Sequence, residues 1–314
     1  MNQLIFRQRW LLRRCMQLIG SRFYINPKPD IEHSILVAGA ARSGTTWLGD
    51  LIAAHIPCRI LFEPFNPNLV QEYRHFNYFQ YMRPTAENRQ FFEFANRVFR
   101  GQIRNRWIDH QNERFFARYR LIKEIRINLA LKYLRNQFPQ VPLIFMMRHP
   151  CAVVLSRMEL GWATGQDIEP LLSQSELIED HLSTFLDLIR STVVEEEKHA
   201  IIWAIHNLIP LKQFSHRELK IVHYETLCTQ PQRELSSVLD FIGQSDQPML
   251  MNMIQRPSQT ARSTSAVVQG ASQIDKWSKK LTNRQIDNIL KVVDKFGLGH
   301  LYDSSFLPQN VALP

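Results

Sequence analysis

The stretch that most constrains this chain runs from Ser34 to Leu48, Ser-Ile-Leu-Val-Ala-Gly-Ala-Ala-Arg-Ser-Gly-Thr-Thr-Trp-Leu. Ile35 to Ala38 is a short apolar run of the kind that forms a buried parallel strand. Gly39 ends it, and Gly44 closes the loop that follows. From Thr45 onward Leu48, Leu51 and Ile52 fall on one helical face. Strand, glycine-bounded loop and helix start make a phosphate cradle. Loop N–H groups point inward, and the helix N-terminus adds about half a positive charge. The string nearly matches G-x-x-x-x-G-K-[ST], but Thr45 stands where the Lys belongs. Arg42 supplies a cation two places before Gly44 instead. Such a loop suits one phosphate-like group and is poorly equipped for a triphosphate with its Mg²⁺.

The net charge of +9 is unevenly placed. Residues 1–29 hold Arg7, Arg9, Arg13, Arg14, Arg22 and Lys28 and no acid, and these six account for all but +3 of it. The high pI therefore belongs largely to the N-terminal segment and does not imply nucleic-acid binding. Within that segment Leu4, Leu11 and Leu18 recur with Ile5, Leu12, Cys15 and Ile19 on one face of a basic amphipathic helix. Such a helix either packs on a core with a solvated basic face or lies through residues 4–23 on an anionic membrane surface. No stretch in it is long enough for a signal peptide core or a membrane span, which points to a cytoplasmic setting, peripheral to a membrane at most. Asn26-Pro-Lys-Pro-Asp30 reads as a linker. The four cysteines show no metal-ligand or disulfide spacing, so reduced thiols are expected.

Further apolar runs mark strands at 59–62, 119–123, 143–147 and 219–223. Helical patterns cover 127–137, 152–158, 195–214, 231–242 and 282–296, and residues 161–180 read as a polar loop and helix start. Residues 65–120 are rich in aromatics and arginines, among them Arg97, Arg100, Arg104 and Arg106, and read as helices laid over the sheet. Their aromatics either stack on a sugar or acidic acceptor or are buried. Residues 255–272 form a long polar segment without periodicity. Strands alternating with helices argue for an α/β fold: a P-loop-type central parallel sheet of about five strands flanked by helices, one domain over residues 30–314.

The second informative stretch is Phe145-Met-Met-Arg148-His-Pro-Cys-Ala-Val-Val-Leu-Ser156. Arg148 ends a strand, and Ser156 lies about two turns into the next helix. A guanidinium fork matches a phosphate, and a hydroxyl adds a donor.

Arg42-Ser43-Gly44-Thr45-Thr46 resembles the 5′-phosphosulfate loop of sulfotransferases that use 3′-phosphoadenosine 5′-phosphosulfate (PAPS). Tyrosylprotein and Golgi carbohydrate members carry Arg before Ser-Gly-Thr-Thr, as here. Arg148 with Ser156 resembles the family's 3′-phosphate motif. Tyr224-Glu-Thr-Leu227 resembles its Tyr-Glu-Asp-Leu segment, and Gly270 to Trp277 resembles the stretch whose Lys and Trp close over the nucleotide, here Lys276 and Trp277. The resemblance spans residues 34–296.

It implies PAPS as co-substrate, no metal, and transfer of a sulfuryl group to an acceptor hydroxyl. Leu61-Phe-Glu63-Pro64 resembles a Golgi carbohydrate segment, and Glu63 falls where tyrosylprotein enzymes place their catalytic Glu. Lys123-Glu-Ile125 lines up with the cytosolic Lys-Thr-His, so the cytosolic His base is replaced by Ile. The expected roles are Glu63 as base, with Arg42 and Lys123 as stabilising cations. Ser43, Gly44, Thr45 and Thr46 would hold the 5′-phosphosulfate, and Arg148 and Ser156 the 3′-phosphate. Trp47 stacks on adenine or is a buried aromatic. Pro64 is expected to hold Glu63 extended and fix its carboxylate. Glu124 is the rival base, but strand neighbours point to opposite faces, so Lys123 and Glu124 should not both reach the site. A carbohydrate acceptor is favoured. A P-loop kinase lacking its Lys would require an Asp at a strand end, where this chain has Glu63, Glu124 and Arg148. A bisphosphate-binding protein without turnover is the alternative outside enzymes.

Overall fold

The computed structural model describes residues 24–112, 114–215, 218–245 and 274–309. Five parallel strands form one sheet: β1 (Ser34–Gly39), β2 (Cys58–Phe62), β3 (Tyr119–Lys123), β4 (Leu143–Met147) and β5 (Lys220–His223). Their spatial order is β2-β3-β1-β4-β5. These are the five expected strands, with ends shifted by at most one residue. They were legible because a parallel strand buried on both faces is apolar at nearly every position. Alternate residues feed two cores. Leu36, Ala38, Leu61, Ile122, Phe145 and Met147 point into one. Ile35, Val37, Leu121, Ile144, Met146 and Val222 point into the other.

The helices are α1 (Thr45–His55), α2 (Arg89–Phe99), α3 (Leu131–Gln137), α4 (Pro150–Met158), α5 (Gly165–Leu172), α6 (Leu186–Ser191), α7 (Glu195–Gln213), α8 (Tyr224–Thr229), α9 (Pro231–Phe241), α10 (Lys276–Lys280) and α11 (Asn283–Lys295). Short helical turns fill residues 175–185. α1 and α9 cover the second core. α2, α3, α4, α7 and α11 cover the first. α11 starts with a full capping box, Thr282 and Gln285 each accepting from the other's backbone N–H.

Two expectations fail here. Residues 65–118 contain one α-helix, α2, and a single 3₁₀ turn at Gln71–Tyr73, where several helices were expected. Prolines at 67 and 84 break the chain. The aromatics there do not repeat at helical spacing but pack pairwise, as Phe65 does on Tyr73 and Phe94. Most of them are buried, so burial accounts for them rather than acceptor stacking. The stretch expected as one helix from Ile127 instead opens with a 3₁₀ turn at Asn128–Ala130 before α3. The expected N-terminal helix and the polar segment 255–272 lie outside the described residues.

Two buried arginines tie the insert to the sheet. Arg59 pairs with Asp109 at 2.8 Å and donates to the Gly101 and Ile103 carbonyls. Arg120 donates to Ser34 and to the Phe99, Lys28 and Asp30 carbonyls. Each guanidinium divides its donors between carbonyls and a side-chain oxygen of the insert or the sheet. Arg100 and Arg104 likewise bind the carbonyls of Pro29 and Tyr24, at the N-terminal edge of the sheet.

β1 connects outward through α1 to β2, whereas β3 crosses β1 to reach β4 on its other side. The topological switch therefore lies between β1 and β4, and ligands in such sheets bind at the carboxyl ends beside it. Gly39 ends β1 opposite Met146 of β4. A Cβ there would sit 2.4 Å from the Met146 carbonyl oxygen. Gly39→Ala should force the two strands apart and lower stability by about 2–4 kcal/mol, read as a fall in the urea midpoint at unchanged m-value.

Candidate active site

The loop after β1 is held in a shape that ordinary side chains resist. Among the described residues, only Arg42 (φ 74°) and Glu63 (φ 47°) combine a positive φ with a side chain. Both were singled out from the sequence for chemistry. Such conformations cost about 1–3 kcal/mol each and persist where surroundings over-determine them. Gly44 (φ 99°) is the N-cap of α1 and offers no side chain to cap it. A Cβ on Gly44 would lie 2.6 Å from the Tyr224 ring, so only glycine lets the loop rest on that ring. The opening N–H groups of α1 are thus left for an anion. Ser43 is fully buried, and its hydroxyl has no hydrogen-bond partner. Trp47 is buried with its ring 5.5 Å from that of Tyr224, matching the buried-aromatic expectation.

Arg148 follows the last residue of β4. Its Nη1 donates to the Arg42 carbonyl at 3.1 Å, and its guanidinium lies 4.1 Å from the centre of the Tyr224 ring. Its Nε is buried without a partner. Arg42 in turn donates from Nε to the Ser156 hydroxyl at 3.0 Å. Arg148 and Ser156, expected to share the 3′-phosphate, each bond to Arg42, through its carbonyl and its side chain respectively, which joins the loop to the end of β4 and to α4.

Behind Arg148 stands a buried network that the sequence did not disclose. Glu225 accepts from the His149 backbone N–H at 2.9 Å and from the Tyr302 hydroxyl at 3.3 Å. Burial pushes the Glu225 carboxyl up, against the pull of the His149 N–H and Arg148. His223 Nδ1 lies 2.8 Å from the Tyr302 hydroxyl. Trp203 donates to the Arg148 carbonyl at 3.0 Å. The residues on both sides of the Arg148–His149 peptide are thus fixed. Burial also lowers His149 to about 4, so its ring is neutral at pH 7. It stacks on Trp277 with centroids 4.3 Å apart. Trp277 is buried there, and Lys276 pairs with Glu159 at 2.8 Å. Residues 270–273 of their motif lie outside the described residues.

Glu63 lies at the end of β2. Continued as a strand it would follow Leu61 into the first core. The left-handed φ turns it away, correcting the extended backbone expected before Pro64. Its Oε1 accepts from Lys123 Nζ and its Oε2 from Arg126 Nη1, both at 2.6 Å. Lys123 is the residue opposite Phe62 in the register and lies over its ring. Arg126 also donates to the Tyr78 hydroxyl at 2.8 Å. Trp107 donates to the Glu63 carbonyl at 3.3 Å. Burial would raise the Glu63 carboxyl, but Lys123 and Arg126 together outweigh it and hold it below the ordinary value. Glu124 is fully buried, and burial, resisted by Arg126, pushes its carboxyl well up. Of two adjacent carboxyls, the one facing Lys123 is kept ionised and the other neutral. Arg126 had no assigned role; its sequence signal was the Lys-Glu-Ile-Arg string.

A family model described as the sulfotransferase family matches residues 34–248, which take in the loop, Glu63, Lys123, Arg148 and Ser156. The chain belongs to the sulfotransferase family. Three solved structures are similar to this sulfotransferase. The sulfotransferase domain of the Synechococcus PCC 7002 olefin synthase is 17% identical with TM-score 0.47, covering 90% of this chain and 98% of that one. The sulfotransferase domain from the curacin biosynthetic pathway is 19% identical with TM-score 0.47, over 87% and 98%. A sulfotransferase from Alicyclobacillus acidocaldarius is 13% identical with TM-score 0.43, over 87% and 98%. No curated protein matches the chain.

Removing the Glu225 carboxylate from this sulfotransferase would strand the buried His149 N–H and leave the Tyr302 hydroxyl with His223 alone. Glu225→Ala should cost about 2–4 kcal/mol. Glu225→Gln should cost less, because its amide oxygen still accepts from the His149 N–H. Urea titration of the two variants measures both.

Proposed function

We propose that this sulfotransferase moves a sulfuryl group from PAPS to a carbohydrate or glycoconjugate hydroxyl. The observation that carries this reading is the hydrogen-bonded chain Arg148–Arg42–Ser156 beside the uncapped start of α1. The donor set fits a nucleotide carrying a 3′-phosphate as well as a 5′-phosphosulfate. The buried Ser43 hydroxyl, next to Arg42 in the loop, and Arg148 Nε are polar atoms without partners. No Lys follows Gly44 to reach a γ-phosphate. Ser43, Gly44, Thr45 and Thr46 would hold the 5′-phosphosulfate, and Arg148 with Ser156 the 3′-phosphate. Tyr78 and Trp107, half-buried beside Glu63, are amphipathic rings suited to a sugar face.

In this reading Glu63 takes the proton from the acceptor hydroxyl. The acceptor oxygen then bonds to sulfur as the bond from sulfur to the phosphate oxygen breaks, and adenosine 3′,5′-bisphosphate leaves. Arg42 and Lys123 supply the fixed positive charge that the developing oxygen charge requires. A carboxylate held by two cations is a weak base. When Lys123 turns from Glu63 to the sulfuryl oxygens, the carboxylate loses one of them and gains basicity as the proton must move. Arg126 stays with Glu63 and keeps it aimed.

Adenosine 3′,5′-bisphosphate should bind far more tightly than ATP and without Mg²⁺; calorimetry showing equal or tighter ATP binding would sink the donor assignment. Labelled PAPS offered with a panel of sugars, phenols and lipids identifies the acceptor. Bisphosphate binding without any transfer would leave a nucleotide-binding protein. Glu63→Gln should cut kcat by about 10²–10⁴ and leave bisphosphate affinity nearly intact. Glu124→Gln, which replaces an already neutral carboxyl, should leave turnover nearly unchanged.

The pH profile tests the clamp. Glu63 is ionised down to below its ordinary value of 4.5, so the acid limb of kcat/KM should lie below that pH. Arg126→Gln removes one of the two groups that favour the charged form against burial. The limb should move up in pH. A limb that stays put would show that Arg126 does not act on the base.

A further inference from the structure

At the N-terminal edge of the sheet, opposite the catalytic edge, lies an apolar and basic stripe that sulfuryl transfer does not use. Residues 114–118 lead into β3 with bends at Phe115 and Arg118. Arg114, Phe116 and Arg118 are exposed, whereas Ala117 is buried and Phe115 half-buried, and Arg118 donates to His33 Nε2 at 2.9 Å. The exposed positions therefore read cation, aromatic, cation. Ile25 pairs with Phe116 in a parallel bridge. Both are 61% exposed, two large apolar side chains set side by side in water.

The segment holding Ile25 is firmly attached. The Tyr24 hydroxyl donates to the Ala117 carbonyl at 2.7 Å and the Ile25 N–H to the Phe115 carbonyl at 2.7 Å. Arg104 donates to the Tyr24 carbonyl at 2.6 Å and is itself exposed, as is Lys28. The chain that reaches this point, residues 1–23, carries Arg7, Arg9, Arg13, Arg14 and Arg22 and no acid. Among neighbouring acids, Asp30 is taken up by His33 at 2.6 Å and lies 3.8 Å from Arg120, while Glu32 is exposed. The edge's own exposed cations thus flank an exposed Phe–Ile pair, and the sequence that leads to it is basic.

We infer that this edge docks on an anionic lipid surface, with Phe116 and Ile25 entering the headgroup boundary while Arg114, Arg118 and Arg104 meet the lipid charge. An aromatic and an aliphatic side chain ringed by arginines is the composition that gains from such a boundary. Nucleic acid or an acidic protein would use the arginines but gain nothing from two unstacked apolar chains set between them. No helix among the described residues is long and apolar enough to cross a membrane, so the attachment would be peripheral.

The test is sedimentation of the full chain with phosphatidylcholine vesicles, with and without phosphatidylglycerol. The protein should sediment with the anionic vesicles, less so at high salt, and poorly with phosphatidylcholine alone. Arg114→Gln and Arg118→Gln should each weaken binding about five-fold. Phe116→Ser should weaken it by about ten-fold or more. Thermal melting of the variants, and transfer activity on a water-soluble acceptor, should stay as in the parent, since none of these residues touches the catalytic edge. Equal binding to the two vesicle types overturns the inference. So does binding unaffected by Phe116→Ser, and so does retention on DNA or heparin without retention on vesicles.

Discussion

The hydrogen bond from Arg148 to the Arg42 carbonyl is the contact on which the catalytic edge depends. It ties the end of β4 to the loop leaving β1, and so spans the place where the strand order reverses. It forms only because Gly39 lets β1 lie against Met146 without a side chain between them, and because Gly44 lets the loop settle on Tyr224. Arg42, held left-handed by that contact, then turns its own guanidinium to Ser156. Glu225, Trp203 and Tyr302 brace the Arg148–His149 peptide from behind. The cation at the end of β4 is thus given almost no freedom in its backbone.

The other half of the site is governed by a different balance. Glu63 is buried, which works against its charge, and held by Lys123 and Arg126, which works for it. The cations win, and Glu124 next along the chain from Lys123 goes the opposite way because it is turned into the first core. One left-handed residue, Glu63, decides which carboxyl meets which cation. Glu63 is thus ionised and closely paired with both cations.

The strands were legible because a doubly buried parallel strand leaves an unbroken apolar run. The loop, Arg148 and Ser156 were legible because they lie on local strings at fixed spacing. Residues 65–118 were not, because their aromatics are placed by partners far along the chain and carry no period. Tyr302 was invisible for the same reason: its partner Glu225 is 77 residues away and nothing between them repeats. The direction of Glu63 misled in a different way. Pro64 argues for an extended residue before it, and only the pull of two cations, one on β3 and one just beyond it, shows why the backbone turns instead.

All five strands run the same way, and this gives the molecule a top and a bottom. A strand of five residues advances about 17 Å. A flat surface held against the lower edge would therefore stand at least that far from Glu63 and Arg148. Hydroxyl groups lying in such a surface would be out of reach. Those on a long headgroup or on a molecule free in the surrounding water would meet the upper edge unobstructed.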